Sequence, residues 1–122
     1  MKKTTILFDL DGTLLPIDEK HFVELYFGYM GHYFAPLGFD PKTFIQNVWI
    51  GTKAMKDNIG PDSNETLFWK VFRTIQPGLP DNMEALFQTF YETHFDLVQP
   101  SSLTNPLSNQ IVQLAKEKGY RI

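Results

Sequence analysis

The stretch Ile6–Thr13, with the sequence ILFDLDGT, decides how the rest of the chain is interpreted. An apolar run ends there in two aspartates, Asp9 and Asp11, one residue apart. In an extended segment, residues i and i+2 point to the same side, so both carboxylates can face one small volume. Open α/β sheets bind their ligands just past the carboxyl ends of their strands. The pattern therefore predicts a strand over Thr4–Phe8 that ends in an acidic site.

The two carboxylates also indicate what such a site would hold. Like charges at close range repel each other unless a cation or a shared proton offsets them. Carboxylate oxygens are the hard ligands that Mg²⁺ takes in proteins. Gly12 allows the positive φ that a sharp exit from a strand often needs. Asp and Gly are also frequent in plain turns, so an acidic turn without chemistry is the alternative.

The segment Asp9-Leu10-Asp11-Gly12-Thr13 resembles the first signature motif of the haloacid dehalogenase-like (HAD) hydrolases, Asp-x-Asp-Gly-Thr after a hydrophobic strand. It matches that motif at every fixed position. The resemblance implies that Asp9 is a nucleophile that forms an aspartyl-phosphate and that Asp11 is the general acid and base. It implies that the Asp9 carboxylate and the Asp11 carbonyl oxygen ligate Mg²⁺. It also implies that a phosphate is bound at Leu10, Asp11, Gly12 and Thr13, with the role of Thr13 the least defined.

Four amphipathic helices are predicted after this loop. Their candidate starts are Asp18, Asp40 followed by Pro41, Asp62 or Ser63, and Asp81. Apolar residues recur in each at steps of three and four, which is typical of one buried helix face. The predicted faces of the four helices, in chain order, are Phe22, Tyr26, Tyr29, Met30 and Tyr33; Phe44, Ile45, Val48, Trp49 and Thr52; Leu67, Phe68, Val71, Phe72 and Ile75; and Met83, Leu86, Phe87, Phe90 and Tyr91. The predicted helices cover about residues 18–35, 40–56, 62–75 and 81–95. Four such helices joined by short loops favour a four-helix bundle.

A linker over residues 96–104 and a fifth helix are predicted next. Asn105 and Pro106 form the same cap-plus-proline start. Gly119 lies where a glycine commonly ends a helix. Residues 120–122 are predicted to begin another strand. The predicted buried face of this fifth helix consists of Leu107, Ile111, Leu114 and Ala115.

This layout extends the resemblance, since many HAD hydrolases carry a helical cap inserted directly after the first motif. The predicted fold class is α/β, with a HAD-like Rossmannoid core that is incomplete here and an inserted four-helix-bundle cap. The predicted divisions are 1–16 for the first strand and catalytic loop, 17–96 for the cap, and 97–122 for the return helix and second strand. The family's later Ser or Thr, Lys and acidic pair are not matched. We therefore expect an N-terminal fragment of a longer enzyme, inactive alone.

Composition excludes several other classes. The 122 residues contain no cysteine, which excludes disulfides and thiolate metal sites. The net charge is −3, without the clustered Lys and Arg of a nucleic-acid surface. No apolar run approaches the roughly 20 residues of a membrane span. We expect a cytoplasmic phosphohydrolase that uses Mg²⁺ and acts on a small phosphorylated metabolite, with no nucleic acid or membrane partner.

Two residues outside the motif are candidate substrate contacts. Lys53 could meet an anionic group, and His21 lies near the start of the predicted cap; both are also ordinary helix-flank residues. The alternative function, from a different class, is a non-catalytic helical interaction module in which the acidic turn is structural. A receiver-like phospho-acceptor domain is a third alternative, but its acceptor aspartate lies on a later strand. No strand–Asp pattern occurs here after residue 18.

Overall fold

The computed structural model describes residues 2–122, and within that range it contains five α-helices and no β-strand. The prediction of a mostly helical chain is confirmed. Short 3₁₀ segments follow α1 at Ala35–Leu37 and α4 at Phe95–Ser101. The helices are α1 at Glu19–Phe34, α2 at Pro41–Lys56, α3 at Asn64–Ile75, α4 at Met83–His94 and α5 at Pro106–Glu117.

Side-chain caps account for four of the five helix starts. In each, a side-chain oxygen accepts a hydrogen bond from a backbone N–H of the first turn, which satisfies one of the unpaired donors there. The capping residues are Asp18, Asp40, Ser63 and Asn105, all predicted from the sequence. At the end of α5, Gly119 has a φ of +80° and its N–H bonds the Lys116 carbonyl, as predicted for a C-terminal glycine.

Two predicted boundaries are wrong. The fourth helix begins at Met83 rather than Asp81, and the residue before it, Asn82, makes no side-chain cap bond. The predicted linker over 96–104 is instead 3₁₀ helix as far as Ser101. The Ser101 hydroxyl donates to the Val98 carbonyl, and both residues are buried. Burial of these two side chains explains why proline and serine did not produce an irregular linker there.

The contacts divide the described chain into two compact units. The terminal unit consists of residues 2–25 and 97–122, and the helical unit consists of residues 26–96. The predicted divisions at 16/17 and 96/97 concern function and stay predictions. No helix within residues 2–122 combines the length and apolar character that a bilayer crossing requires.

One apolar core holds the helical unit together, and all four of its helices contribute to it. Phe34 lies at its centre, fully buried, with ring centroids 4.6 Å from Phe44 and 4.9 Å from Phe87. The predicted faces supplied most of the core but omitted Phe34. They also included Trp49 and Tyr91, which are 47% and 42% exposed. The buried core residues are Met30, Phe34, Phe44, Val48, Phe68, Phe72, Met83, Phe87 and Phe90.

A tyrosine pair at the edge of this core has a consequence at high pH. The hydroxyls of Tyr26 and Tyr91 lie 2.7 Å apart. Burial, together with Tyr91, raises the pKa of Tyr26 well above its ordinary value of 10.0. The folded state therefore holds this proton more tightly than the unfolded state, and the resulting stability is complete below the unfolded pKa.

We expect the free energy of unfolding to fall as the pH rises above about 10, by up to about 1.4 kcal/mol per pH unit for this one group. Urea unfolding followed by circular dichroism at pH 9, 10 and 11 measures the slope. The Tyr26→Phe variant should show a shallower fall than the wild type because it has no phenol to ionise. Equal slopes for the two proteins would contradict the assignment to Tyr26.

The terminal unit has an extended segment where a buried strand was predicted. Over Thr4–Phe8 the structure records one parallel bridge, between Thr5 and Arg121. Its two hydrogen bonds run from the Arg121 N–H to the Thr4 carbonyl and from the Ile6 N–H to the Arg121 carbonyl. Leu7 is 90% exposed, so the prediction of a buried strand is wrong. A parallel ladder needs several paired residues and a covering layer, and this segment has one pair.

The predicted buried face of α5 is also wrong in three of its four residues. Ala115 is buried, whereas the other three are about half exposed. Helical spacing predicts correctly that these residues share one face, but a face is buried only where another element packs on it. The three exposed residues are Leu107, Ile111 and Leu114.

Candidate functional site

The loop that follows the extended segment is closed by its own backbone. The Leu10 carbonyl accepts two hydrogen bonds, from the Thr13 N–H at 3.1 Å and from the Leu15 N–H at 2.8 Å. The Gly12 N–H donates to the Leu15 carbonyl at 2.8 Å. Gly12 has a φ of +74°, the conformation predicted for it, which a side chain would strain. These bonds fix the path of the chain between the two aspartates and Leu15.

The functional side chains of the loop face solvent. Asp9, Asp11 and Thr13 are all exposed, and Leu10 between them is 56% exposed. The Thr13 hydroxyl donates a hydrogen bond to Oδ2 of Asp9 at 3.0 Å. A ligand in solution therefore has direct access to both carboxylates.

The backbone amides of the loop fall into two groups. Those of Gly12 and Thr13 donate to carbonyls within the loop. Within residues 2–122 the structure records no acceptor for the N–H groups of Leu10 and Asp11. Of the four residues predicted to bind phosphate, Leu10 and Asp11 are therefore the two whose amides are available to an anion.

Contacts with the second part of the terminal unit hold the chain where it leaves the loop. The Ser108 hydroxyl, on the first turn of α5, donates to the Leu14 carbonyl at 2.7 Å. The Leu103 N–H donates to the Pro16 carbonyl, also at 2.7 Å. No pattern in the sequence points to Ser108, because 94 residues separate it from Leu14. Only the folded chain brings this helix start to the exit of the loop.

The two candidate substrate residues have ordinary structural roles. The backbone N–H of His21 donates a hydrogen bond to the Asp18 side chain, which caps α1. His21 lies in the terminal unit, as does the loop. Lys53 lies in the helical unit, with its side chain 74% exposed and paired with Asp57 one helical turn later. Their contact with a substrate stays a prediction.

The fit of Mg²⁺ to the loop rests on the donors present. Within residues 2–122 no group of three or more histidine or acidic side chains is placed to hold a metal ion. Mg²⁺ usually keeps several waters and takes one or two carboxylates from the protein. Asp9 and Asp11 are exposed to solvent, so the Asp9 carboxylate and the Asp11 carbonyl oxygen, together with waters, would fit such a hydrated ion.

One cavity that the sequence did not predict lies in the helical unit. It has a volume of about 570 Å³ and is formed by the end of α3 and the loop after it. Its polar groups already have partners: Arg73 pairs with Glu84 and lies over the Trp69 ring, and Gln76 accepts a hydrogen bond from Asn47. The Arg73 guanidinium also holds the pKa of Glu84 below its usual value. The Arg73 and Gln76 side chains in the lining of the cavity therefore connect parts of the helical unit to one another.

Comparisons with models of protein families, with curated proteins and with solved structures find no match to this chain. The site is therefore interpreted from its own residues and geometry.

Proposed function

We propose that this chain carries the nucleophile loop of a phosphohydrolase of the HAD type, which acts on a small phosphorylated metabolite and uses Mg²⁺. The observation that carries the proposal is the exposed loop Asp9–Thr13. Its two carboxylates follow an extended segment, and its path is closed by hydrogen bonds on either side of Gly12. Both carboxylates are exposed, so a phosphate or a hydrated metal ion in solution can reach them.

Each aspartate has its own role in the proposed reaction. Asp9 attacks the phosphorus atom and forms an aspartyl-phosphate, which divides one difficult step into two easier ones. Asp11 donates a proton to the leaving oxygen and later accepts one from the water that hydrolyses the intermediate. The N–H groups of Leu10 and Asp11 support this reading, because they are available to phosphate oxygens.

Mg²⁺, when bound by Asp9 and Asp11, would offset the charge that keeps a carboxylate and a phosphate apart. The same proposal includes the finer fold, in which the terminal unit belongs to a Rossmannoid core and the helices of residues 17–96 are the cap inserted into its sequence. The family's other catalytic groups are unmatched, so we expect little steady-state turnover from the 122 residues alone. Effects of groups that act as a unit are strongly non-additive.

The first half-reaction tests the proposal directly. The protein, at the length at which its native cell makes it, is incubated with acetyl phosphate and Mg²⁺ and then reduced with borohydride, which converts an aspartyl-phosphate to homoserine. We expect peptide mass spectrometry to find homoserine at position 9 with Mg²⁺ and not with EDTA. The Asp9→Asn variant should lose the label completely.

The Asp11→Asn variant separates the roles of the two aspartates. Acetate is a weak base and leaves without protonation, so labelling by acetyl phosphate should largely persist in this variant. Release of phosphate from an alkyl phosphomonoester needs the acid and should fall by roughly 10²–10⁴-fold. Absence of homoserine at position 9 in the wild type would contradict the proposal.

The competing function is a helical interaction module, and one observation favours it. Trp49 and Ile50 are consecutive large apolar residues on α2 and are 47% and 44% exposed. Contiguous exposed apolar surface is typical of interaction sites. In this case Asp9→Asn and Asp11→Asn would leave every property unchanged. The labelling experiment therefore discriminates between the two functions.

A further inference from the structure

One contact in the acidic loop has no role in the reaction described above. The Thr13 hydroxyl donates a hydrogen bond to Oδ2 of Asp9, at 3.0 Å. The two residues are four positions apart, and the bonds to the Leu10 carbonyl turn the chain so that their side chains meet. Both side chains are exposed, so this bond does not serve to satisfy a buried group.

An exposed carboxylate rotates freely about its last bond, which makes its two oxygens interchangeable. A nucleophilic aspartate, in contrast, must present one particular oxygen to phosphorus in a fixed direction. Holding a reacting group in its attacking geometry removes an entropic part of the barrier. The Thr13 donor on Oδ2 makes the two oxygens unequal, because the structure records no donor on Oδ1 within residues 2–122.

We infer that Thr13 is a positioning residue for Asp9: its hydroxyl anchors Oδ2 so that Oδ1 is the attacking atom. This inference rests on the proposed function. When Asp9 attacks, Oδ1 forms a bond to phosphorus and the bond from phosphorus to the leaving oxygen breaks. The electron pair of the broken bond goes to the leaving oxygen. Asp11 supplies the proton where the leaving group is an alkoxide. Thr13 keeps its own proton throughout, and its hydroxyl acts on Asp9 rather than on the phosphate that the resemblance implies for it.

The test compares variants of Thr13 in the single-turnover labelling of Asp9 by acetyl phosphate, again in the protein at its native length. Thr13→Val and Thr13→Ala both remove the hydroxyl, one with nearly the same volume and one without. We expect both to lower the maximal labelling rate constant about tenfold, because a misaligned group reacts more slowly. The acetyl phosphate concentration at half saturation should stay the same.

Two further variants separate positioning from a general effect on structure. Thr13→Ser keeps the hydroxyl and should restore most of the rate. Thr104→Val makes the same chemical change at an exposed threonine elsewhere in the terminal unit and should have no effect on the rate. Thermal unfolding midpoints of all the variants should agree with that of the wild type, since the hydrogen bond lies at the surface.

The outcomes distinguish this inference from the proposed function. Slow labelling in the valine and alanine variants, with rescue by serine, supports the positioning role. Equal rates in all variants, with the wild type labelled at Asp9, would overturn the role of Thr13 and leave the phosphohydrolase proposal standing. A wild type without label at Asp9 would overturn both.

Discussion

The Phe34→Ala variant is expected to lose about 3–5 kcal/mol of unfolding free energy, the usual cost of truncating a fully buried phenylalanine. The Phe34 ring is completely inaccessible to solvent. It contacts aromatic rings of α2 and α4 and its own neighbour Tyr33, whose ring centroid lies 4.9 Å away. Truncation would leave a cavity at position 34. Because the rings on three sides of it cannot all move inward, most of that cavity would stay open, and we expect the loss of unfolding free energy to reach this range.

Urea unfolding followed by far-ultraviolet circular dichroism measures this loss. The matched control is Ile59→Ala in the same helical unit, because Ile59 is a large apolar residue that is 101% exposed. The unfolding free energy of the Ile59→Ala variant should differ from that of the wild type by no more than about 0.5 kcal/mol, as is usual for surface substitutions. Similar small effects for both variants would show that Phe34 does not occupy the centre of the core.

Phe34 also illustrates where prediction from the sequence stops. Helix starts such as Asp40-Pro41 and Asn105-Pro106 were predicted correctly, because a cap depends on a few adjacent residues. The central position of Phe34 depends on where α2 and α4 pass α1, and helical spacing alone had placed the apolar face on neighbouring tyrosines. A sequence therefore predicts features that depend on adjacent residues, such as helix caps. It does not predict which distant helices pack against one another.

The terminal unit shows the same limit more strongly. The short, β-rich apolar run of Thr4–Phe8 is typical of a strand, but pairing depends on residues more than 100 positions later, and the structure provides one bridge at Arg121. In the loop, the positive φ of Gly12 could be predicted because only glycine adopts it easily. The hydrogen bond from Thr13 to Asp9 could not, because it depends on how the loop is closed.

Gly51 is the second position where a small change should have a large effect. This glycine is buried where α2 faces α3. A Cβ added there would lie 2.7 and 2.8 Å from two ring carbons of Phe68. The Phe68 ring stacks on Phe72 with centroids 5.3 Å apart, so it has little freedom to move aside.

The Gly51→Ala variant is therefore expected to lose about 1–3 kcal/mol of stability, the typical cost of an overpacked core. This is the opposite of what helix propensity predicts, since alanine is favoured over glycine inside a helix by about 1 kcal/mol. Gly28→Ala is the matched control: Gly28 is exposed on α1, nothing lies within 4 Å of an added Cβ, and it should gain stability. If urea unfolding shows a lower unfolding free energy for Gly51→Ala and a higher one for Gly28→Ala, the glycine at position 51 is what allows α2 and α3 to pack this closely. A gain in both variants would mean that the two helices separate at little cost, and that propensity rather than packing decides stability there.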